Sequence, residues 1–500
     1  MKGVVKMEEK LPEIIFASSD SSTSKRIRHQ LDANRIRKLI PRVYTSNFSD
    51  DDEVIIDRNK WIIIGHLFPG AILSHRSALE GGPTPDGHIF LTYKQSKNVK
   101  YPGLTVHLLS GPSATDQDMD FISDLKISSN GRRYLENLQR VRDRGSVSKA
   151  LDRSIIEDRL DSICRIRGED QLNQLREEAR ILAKELDMEE EFQRLTSIIS
   201  AILTTHPADE LESPLAKARA QGQPYDPHRL ALFDILFREL QQTTLPCLLT
   251  TQYSEHEGIN FAFFDAYFSN YIEGTVFELE EAREIIFERQ KVQQRPTDAH
   301  DILSTFLIVS NPNEMNQLSQ DYESYQNLLQ SRHLTIMDMR PEKAPGRFKL
   351  KANRAGMTHF VEPAQVKGTL LKGWEMMQGL SDPLSRAIFQ MFLVSEVHPF
   401  DDGNGRIARI MMNAELEQAG LQKIMIPTVY REDYLLALQA LSRSQRPDPL
   451  VKMLIRVQQF SSEISFENWE VAVNDLTRCK AFEESNDARL VLLSEMSKTK

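Results

Sequence analysis

A mainly helical chain with a small α+β module at its front is the fold class this sequence predicts, and three observations predict it. Apolar residues recur at helical spacing through most of the chain from residue 131 onward, as at Leu384, Ile388, Phe389, Phe392 and Leu393. Strand-like segments cluster ahead of that point, at His88–Tyr93 and Leu104–Leu109, among glycines and prolines. Five hundred residues exceed what one core organises, so about two to four domains are expected.

Residues 1–22 are polar and end in serines, which predicts a flexible lead-in. Residues 23–130 form the expected α+β module. It opens on Lys25, Arg26, Arg28, Arg35, Arg37, Lys38 and Arg42 against Asp32. A helix, a turn at 32–34 and an extended Ile36–Tyr44 are expected there. A second helix is expected over Val54–Leu67, closed by Phe68-Pro69-Gly70. Leucine-, arginine- and glutamate-rich sequence predicts a helical connecting region over 131–250, with a soft boundary between 125 and 150. A second helical domain spans 251–460, interrupted by a candidate hairpin between Pro345 and Pro363. Residues 461–500 read as an amphipathic, then charged, tail.

Hydrophobic content of 40% and charged content of 27% are those of a globular protein. A net charge of −10 excludes a chain that coats nucleic acid throughout, but not a small basic module. Cys164, Cys247 and Cys479 are far apart and form no CxxC, so neither a zinc knuckle nor a disulfide framework is expected. Free thiols suit a reducing cytoplasm. No signal peptide and no membrane span are expected.

The densest chemistry lies at 398–409, His-Pro-Phe-Asp-Asp-Gly-Asn-Gly-Arg-Ile-Ala-Arg. A helix over Pro383–Glu396 must end before Pro399, which lacks a backbone donor. A second helix starts near Asn404, a favoured N-cap residue, and Gly420 stops it. The segment therefore opens into a helix N-terminus, where free N–H groups and the helix dipole attract phosphate. Asp-Gly-Asn-Gly alone is a turn sequence. A calcium loop is disfavoured because Arg406 and Arg409 stand where acidic ligands are needed.

This segment resembles the Fic family signature His-x-Phe-x-Asp/Glu-Gly-Asn-Gly-Arg-x-x-Arg, with every fixed position filled. The resemblance implies a Fic-type helical bundle with a β-hairpin flap, and transfer of AMP from ATP to a Ser, Thr or Tyr hydroxyl of a protein, another or this one. It implies His398 as general base and Asp402 as the Mg²⁺ ligand. It assigns the phosphates to Gly403, Asn404, Gly405, Arg406 and Arg409, and a buried, loop-orienting place to Phe400. Ser269-Asn-Tyr-Ile-Glu273-Gly274 is similar to the family's inhibitory motif, which implies that Glu273 pairs with Arg409 and blocks the γ-phosphate. Pro345-Gly346-Arg347-Phe348 resembles the flap entry, with Lys349 where arginine is usual, so Thr358, His359, Phe360 and Val361 would form the target-docking flap. Ile426-Pro427, Tyr430, Tyr434 and Leu438 stand where the family lines the nucleobase side. Two alternatives stay open: removal of AMP at the same site, and a DNA-binding regulator whose Fic domain senses nucleotide. The second draws on Arg35–Tyr44 and Pro69–Leu79, which resemble winged-helix abortive-infection antitoxin regulators and imply DNA contact through 25–42.

Overall fold

Asp20 starts the first helix, Ser21–Asp32, by accepting the Thr23 N–H at 2.7 Å. The computed structural model describes residues 11–140, 147–203, 211–250, 253–289, 295–317 and 319–496; the first ten residues of the expected lead-in lie outside them. Two units emerge, divided after Gln221.

In the first unit, Arg37–Ile40 and Val43–Thr45 form an antiparallel hairpin, and Ile14–Phe16 pairs with the hairpin's second strand. The Asp52–Leu67 helix follows as the sequence predicts. A six-stranded mixed sheet comes next, in the order Lys97–Tyr101, Leu104–Ser110, His88–Tyr93, Ile72–Leu73, Lys126–Ile127, Met119–Asp120. A separate helical core gathers Leu135, Ile156, Leu160, Leu172 and Leu182 from the helices Asn130–Asn137, Arg153–Arg167 and Glu169–Leu186. Gly131 lets two of these helices touch: a Cβ there would lie 2.8 Å from the Ala179 nitrogen.

The second unit is built around Glu255–Ile272, which buries Phe261, Phe263, Phe264 and Phe268. A helix apolar all round belongs inside a bundle. Pro383–Val397 and Asn404–Gln418 pack into the same core. The expected connecting region divides between the units. Its last helix, Pro227–Gln242, sends Leu232, Phe233 and Leu236 into this second core. The expected tail also packs there, through Phe466, Leu476, Cys479 and Leu490. Both differences arise because helical spacing marks a buried face without saying which neighbour buries it. No helix among the described residues is long and apolar enough to cross a membrane.

Candidate active site

His398 closes the Pro383–Val397 helix in a left-handed conformation (φ 51°), and Pro399 prevents the helix from continuing. The chain then turns back on itself, and Asn404 fastens the turn. Its Oδ1 accepts the Phe400 N–H and its Nδ2 donates to the Phe400 carbonyl, both at 2.9 Å. The expected N-cap is thus displaced by one residue. Gly403 caps the Asn404–Gln418 helix at φ 74°, and Asn404 serves as the clasp inside it. The left-handed φ favours glycine at that cap, and a Cβ there would also press on Met337 Sδ at 3.0 Å.

Phe400 is fully buried and stacks on His333 with ring centres 3.8 Å apart. His333 Nδ1 accepts the Gly346 N–H at 2.9 Å, so Nε2 carries the proton and donates to the Asp402 carbonyl at 3.1 Å. Burial pushes the His333 imidazole down to about 4, which keeps it neutral in this role. His333 was invisible to the sequence reading, since nothing near it in the chain marks it. Lys349 is also buried here, donating from Nζ to Asn353 Oδ1 at 2.6 Å, while its backbone N–H meets the Pro399 carbonyl at 2.9 Å. Burial lowers its ammonium to about 8.

The cleft has a volume of about 230 Å³, and His398, Gly405, Arg409 and Glu273 line it together. His398 Nδ1 lies 3.1 Å from the Ser395 carbonyl and donates to it, leaving Nε2 as a lone-pair acceptor. Burial is the largest cause that lowers His398 to about 4, helped by the Lys349 charge and opposed by the Ser395 carbonyl. The imidazole is therefore neutral near pH 7. Helix geometry leaves the first N–H groups of Asn404–Gln418 without intrahelical partners, which gives an anion cradle.

Glu273 occupies that cradle. The Glu255–Ile272 helix ends at it, and Gly274 (φ 91°) turns the chain away. The Glu273 carboxylate lies against Gly405, where a Cβ would stand 2.1 Å from its Oε1. Arg409 Nη2 donates to Glu273 Oε1 at 2.7 Å and to the Ser269 carbonyl at 2.8 Å, and its Nε donates to Ser269 Oγ at 3.0 Å. Ser269 and Glu273 thus meet Arg409 as one arrangement, while Gly274 only turns the chain after them. Desolvation opposes the Arg409 charge, but Glu273 and Tyr434 more than restore it and hold the guanidinium above its ordinary value.

Arg406 faces elsewhere. It is buried and bonds Asp301 Oδ2 at 2.8 Å, in a pocket that Arg340 shares. The two arginines stand one turn apart, and only Arg409 lines the cleft. Asp402 accepts the Gly403 N–H on Oδ1 at 2.7 Å, while Oδ2 lies 3.6 Å from Lys343 Nζ and the side chain is 41% exposed. Magnesium is commonly held by one or two carboxylates together with substrate phosphates. Asp402, an accessible carboxylate beside a phosphate cradle, fits that donor set.

The flap is a short antiparallel pair, Arg354–Ala355 with Thr358–His359. Phe360 stacks on the His398 ring at 3.7 Å, and Thr358 Oγ1 accepts from Arg443 Nη2 at 2.9 Å across the cleft mouth. His359 is exposed, whereas Val361 is fully buried and offers no docking surface. Tyr434 and Leu438 line the opposite wall, as do Gln439 and Ser442, which the sequence reading missed. Ile426 belongs to the core, and neither Pro427 nor Tyr430 lines the cleft.

Residues 322–416 match the Fic/DOC family. Protein adenylyltransferase fic-1 of Caenorhabditis elegans is 37% identical over 57 residues, 11% of each chain. Protein adenylyltransferase Fic of Drosophila erecta is 28% identical over 175 residues, 34% of each chain. The chain therefore spans about a tenth to a third of the length of the curated relatives it matches. Among solved structures, a Fic domain containing signaling protein from Bacteroides thetaiotaomicron aligns over 49% of this chain and 98% of that chain, at 18% identity and a TM-score of 0.38. Fic-1 from C. elegans aligns over 60% and 94%, at 16% identity and a TM-score of 0.34. Ser269–Gly274 lies outside the matched segment, but the flap, the His398 turn and the phosphate cradle lie inside it, and residues 322–416 are a Fic/DOC family domain.

Proposed function

We propose that this chain is a protein adenylyltransferase that moves AMP from ATP to a Ser, Thr or Tyr hydroxyl of a protein, another or itself, and that Glu273 holds the reaction off. The observation that carries this reading is the Glu273 carboxylate on Arg409, seated in the phosphate cradle opposite His398. The adenylyltransferase names of the relatives support it.

In the reaction, His398 Nε2 takes the acceptor hydroxyl's proton. The hydroxyl oxygen bonds the α-phosphorus, the bond from that phosphorus to the β-phosphate bridging oxygen breaks, and pyrophosphate leaves. The turn at Gly403 brings the backbone N–H groups of Asn404 and Gly405 to the phosphate oxygens, and Arg409 takes the outermost once Glu273 has moved. Arg406 acts through the turn it anchors to Asp301. Asp402 would hold Mg²⁺, which supplies charge neutralisation for the departing phosphates. Thr358, His359 and Phe360 would bracket the target segment at the flap, beside the base.

Intact-mass measurement after incubation with ATP and Mg²⁺ tests this. Glu273→Gly should gain the mass of one AMP, and Glu273→Gly with His398→Ala should gain none. No gain on the Glu273→Gly chain, together with no AMP transferred to any protein of a cell lysate incubated with it and labelled ATP, would sink the reading. Glu273-dependent loss of AMP from a modified protein would favour removal instead. The unpaired Cys164, Cys247 and Cys479 support a cytoplasmic location. Lys25, Arg26, Arg28 and Lys38 are exposed and support DNA contact by the winged-helix-like module, whereas Arg37 is tied to Asp52 at 2.5 Å. Reversing those four charges should abolish a salt-dependent gel shift.

A further inference from the structure

We propose that the first unit carries a second ligand site, a pocket for a phosphomonoester of mononucleotide size. The pocket is a cavity of about 300 Å³ beside the helices Asn130–Asn137, Arg153–Arg167 and Glu169–Leu186. None of its residues lines the His398 cleft, so the proposal stands apart from the adenylyltransferase reading.

Three guanidinium groups line the cavity, those of Arg133, Arg159 and Arg167. Arg133 and Arg159 are positioned by backbone carbonyls: Arg133 Nη1 donates to Ala78 at 3.3 Å, and Arg159 Nη1 to Leu79 at 2.9 Å. Neither they nor Arg167 are paired with a carboxylate among the described residues. Arg133 Nε is buried with no hydrogen-bond partner. Burial disfavours the Arg133 charge and the Arg159 charge adds to that, while Tyr134 and Glu136, the latter already bonded to Arg132, offset only part of it. Glu178 is the one acid in the lining, so three cations less one anion leave two positive charges.

A buried donor without a partner and a cation without a counter-charge both cost free energy that an anion would relieve. A phosphomonoester carries about −1.5 to −2 at pH 7 and accepts on several oxygens, which matches the excess in charge and in donors. The remainder of the wall is apolar. Tyr134 and Ile163 line it, and Ile166 stands at its mouth with 68% of its surface exposed. A wall of that kind suits a ligand with an aromatic or apolar body behind its phosphate. The volume is at the small-molecule end of the usual range, and the recess is concave, which favours a free nucleotide over a duplex.

AMP is the probe, titrated calorimetrically into the full-length protein, with adenosine and inorganic phosphate as controls. AMP should bind saturably, adenosine should not, and inorganic phosphate should compete. Arg167→Gln should weaken AMP by about tenfold, the loss of one charge-assisted contact. Ile166→Asp should weaken it by a similar factor by placing an anion at the mouth. Both residues are exposed, so neither change threatens the fold. Hydrogen exchange should show AMP-dependent protection of the Asn130–Asn137 helix. Absence of saturable binding, or affinity unchanged in both variants with no protection there, overturns the proposal.

Discussion

Each unit buries an arginine against carboxylate, and the two arrangements differ in whether solvent can reach the acid. Arg132 in the first unit is fully enclosed, with Asp118 at 2.5 Å and Glu136 at 2.8 Å and both acids exposed by 1% or less. Arg409 in the second is 4% exposed, but its partner Glu273 is 28% exposed and faces the cleft. A sealed pair can only be broken, because no other anion can reach it. An open-sided pair can exchange one anion for another, and the guanidinium need never stand alone. The same two residue types therefore build a structural clasp in one place and a replaceable plug in the other.

The largest effect should come from breaking the sealed pair. Asp118→Ala leaves Arg132 buried beside one acid and should cost about 3–5 kcal/mol of stability. Hydrogen exchange along the Asn130–Asn137 helix reads that cost locally, and a loss below about 1 kcal/mol would mean the cage is not sealed. Glu273→Gly should cost less, about 1–2 kcal/mol, since Arg409 keeps both Ser269 bonds and gains water. It should also tighten ATP by at least about tenfold, roughly 1.4 kcal/mol. Glu273→Gln separates space from charge: it should lie between wild type and Glu273→Gly in ATP affinity. Equal ATP affinity in all three would erase the distinction between clasp and plug.

Acid sharpens the comparison from another side. His75 in the first unit and His333 in the second are each pushed down to about 4 by burial. The unfolded chain takes these protons near pH 6.5 and the folded chain does not until about pH 4. Stability should therefore fall as pH drops from 6.5 towards 4, by up to about 3 kcal/mol per histidine. Urea midpoints across that range should flatten in His75→Gln and in His333→Gln, each in its own unit. His398 shares the same shift but faces the cleft, so it sets activity: the acid limb of kcat/KM for Glu273→Gly should lie well below pH 6.5.

Features local in the chain were legible in the sequence, and those that depend on distant segments were not. The Pro383–Val397 helix, the His398 turn and the pairing of Glu273 with Arg409 were legible, because apolar spacing, Pro399 and two motifs mark them. The displacement of Asn404 from cap to clasp was not, since cap preference ignores a side chain that can reach back to Phe400. Arg406 looked equivalent to Arg409 until Asp301, far away in the chain, claimed it. Val361 looked like flap because extended segments do not announce which end enters the core. His333 was missed for the same reason as Asp301: its partners are Phe400, Gly346 and the Asp402 carbonyl, and none is its neighbour in sequence.

The limiting case is the contact with the least enclosure, between exposed Arg443 and half-buried Thr358. Arg443 bonds Thr358 at the cleft mouth, where water competes for both groups. An exposed contact of this kind contributes about 0–1 kcal/mol, so Arg443→Ala should leave thermal unfolding almost unchanged. Its effect should appear instead in the flap. Released from Arg443, the Thr358–His359 strand has less reason to lie over His398, and the KM for a protein target should rise a few-fold while kcat holds. A fall in unfolding temperature as large as that of Glu273→Gly would show that enclosure is the wrong variable, because an arginine contact at the exposed mouth would then matter as much as one deep in the cleft.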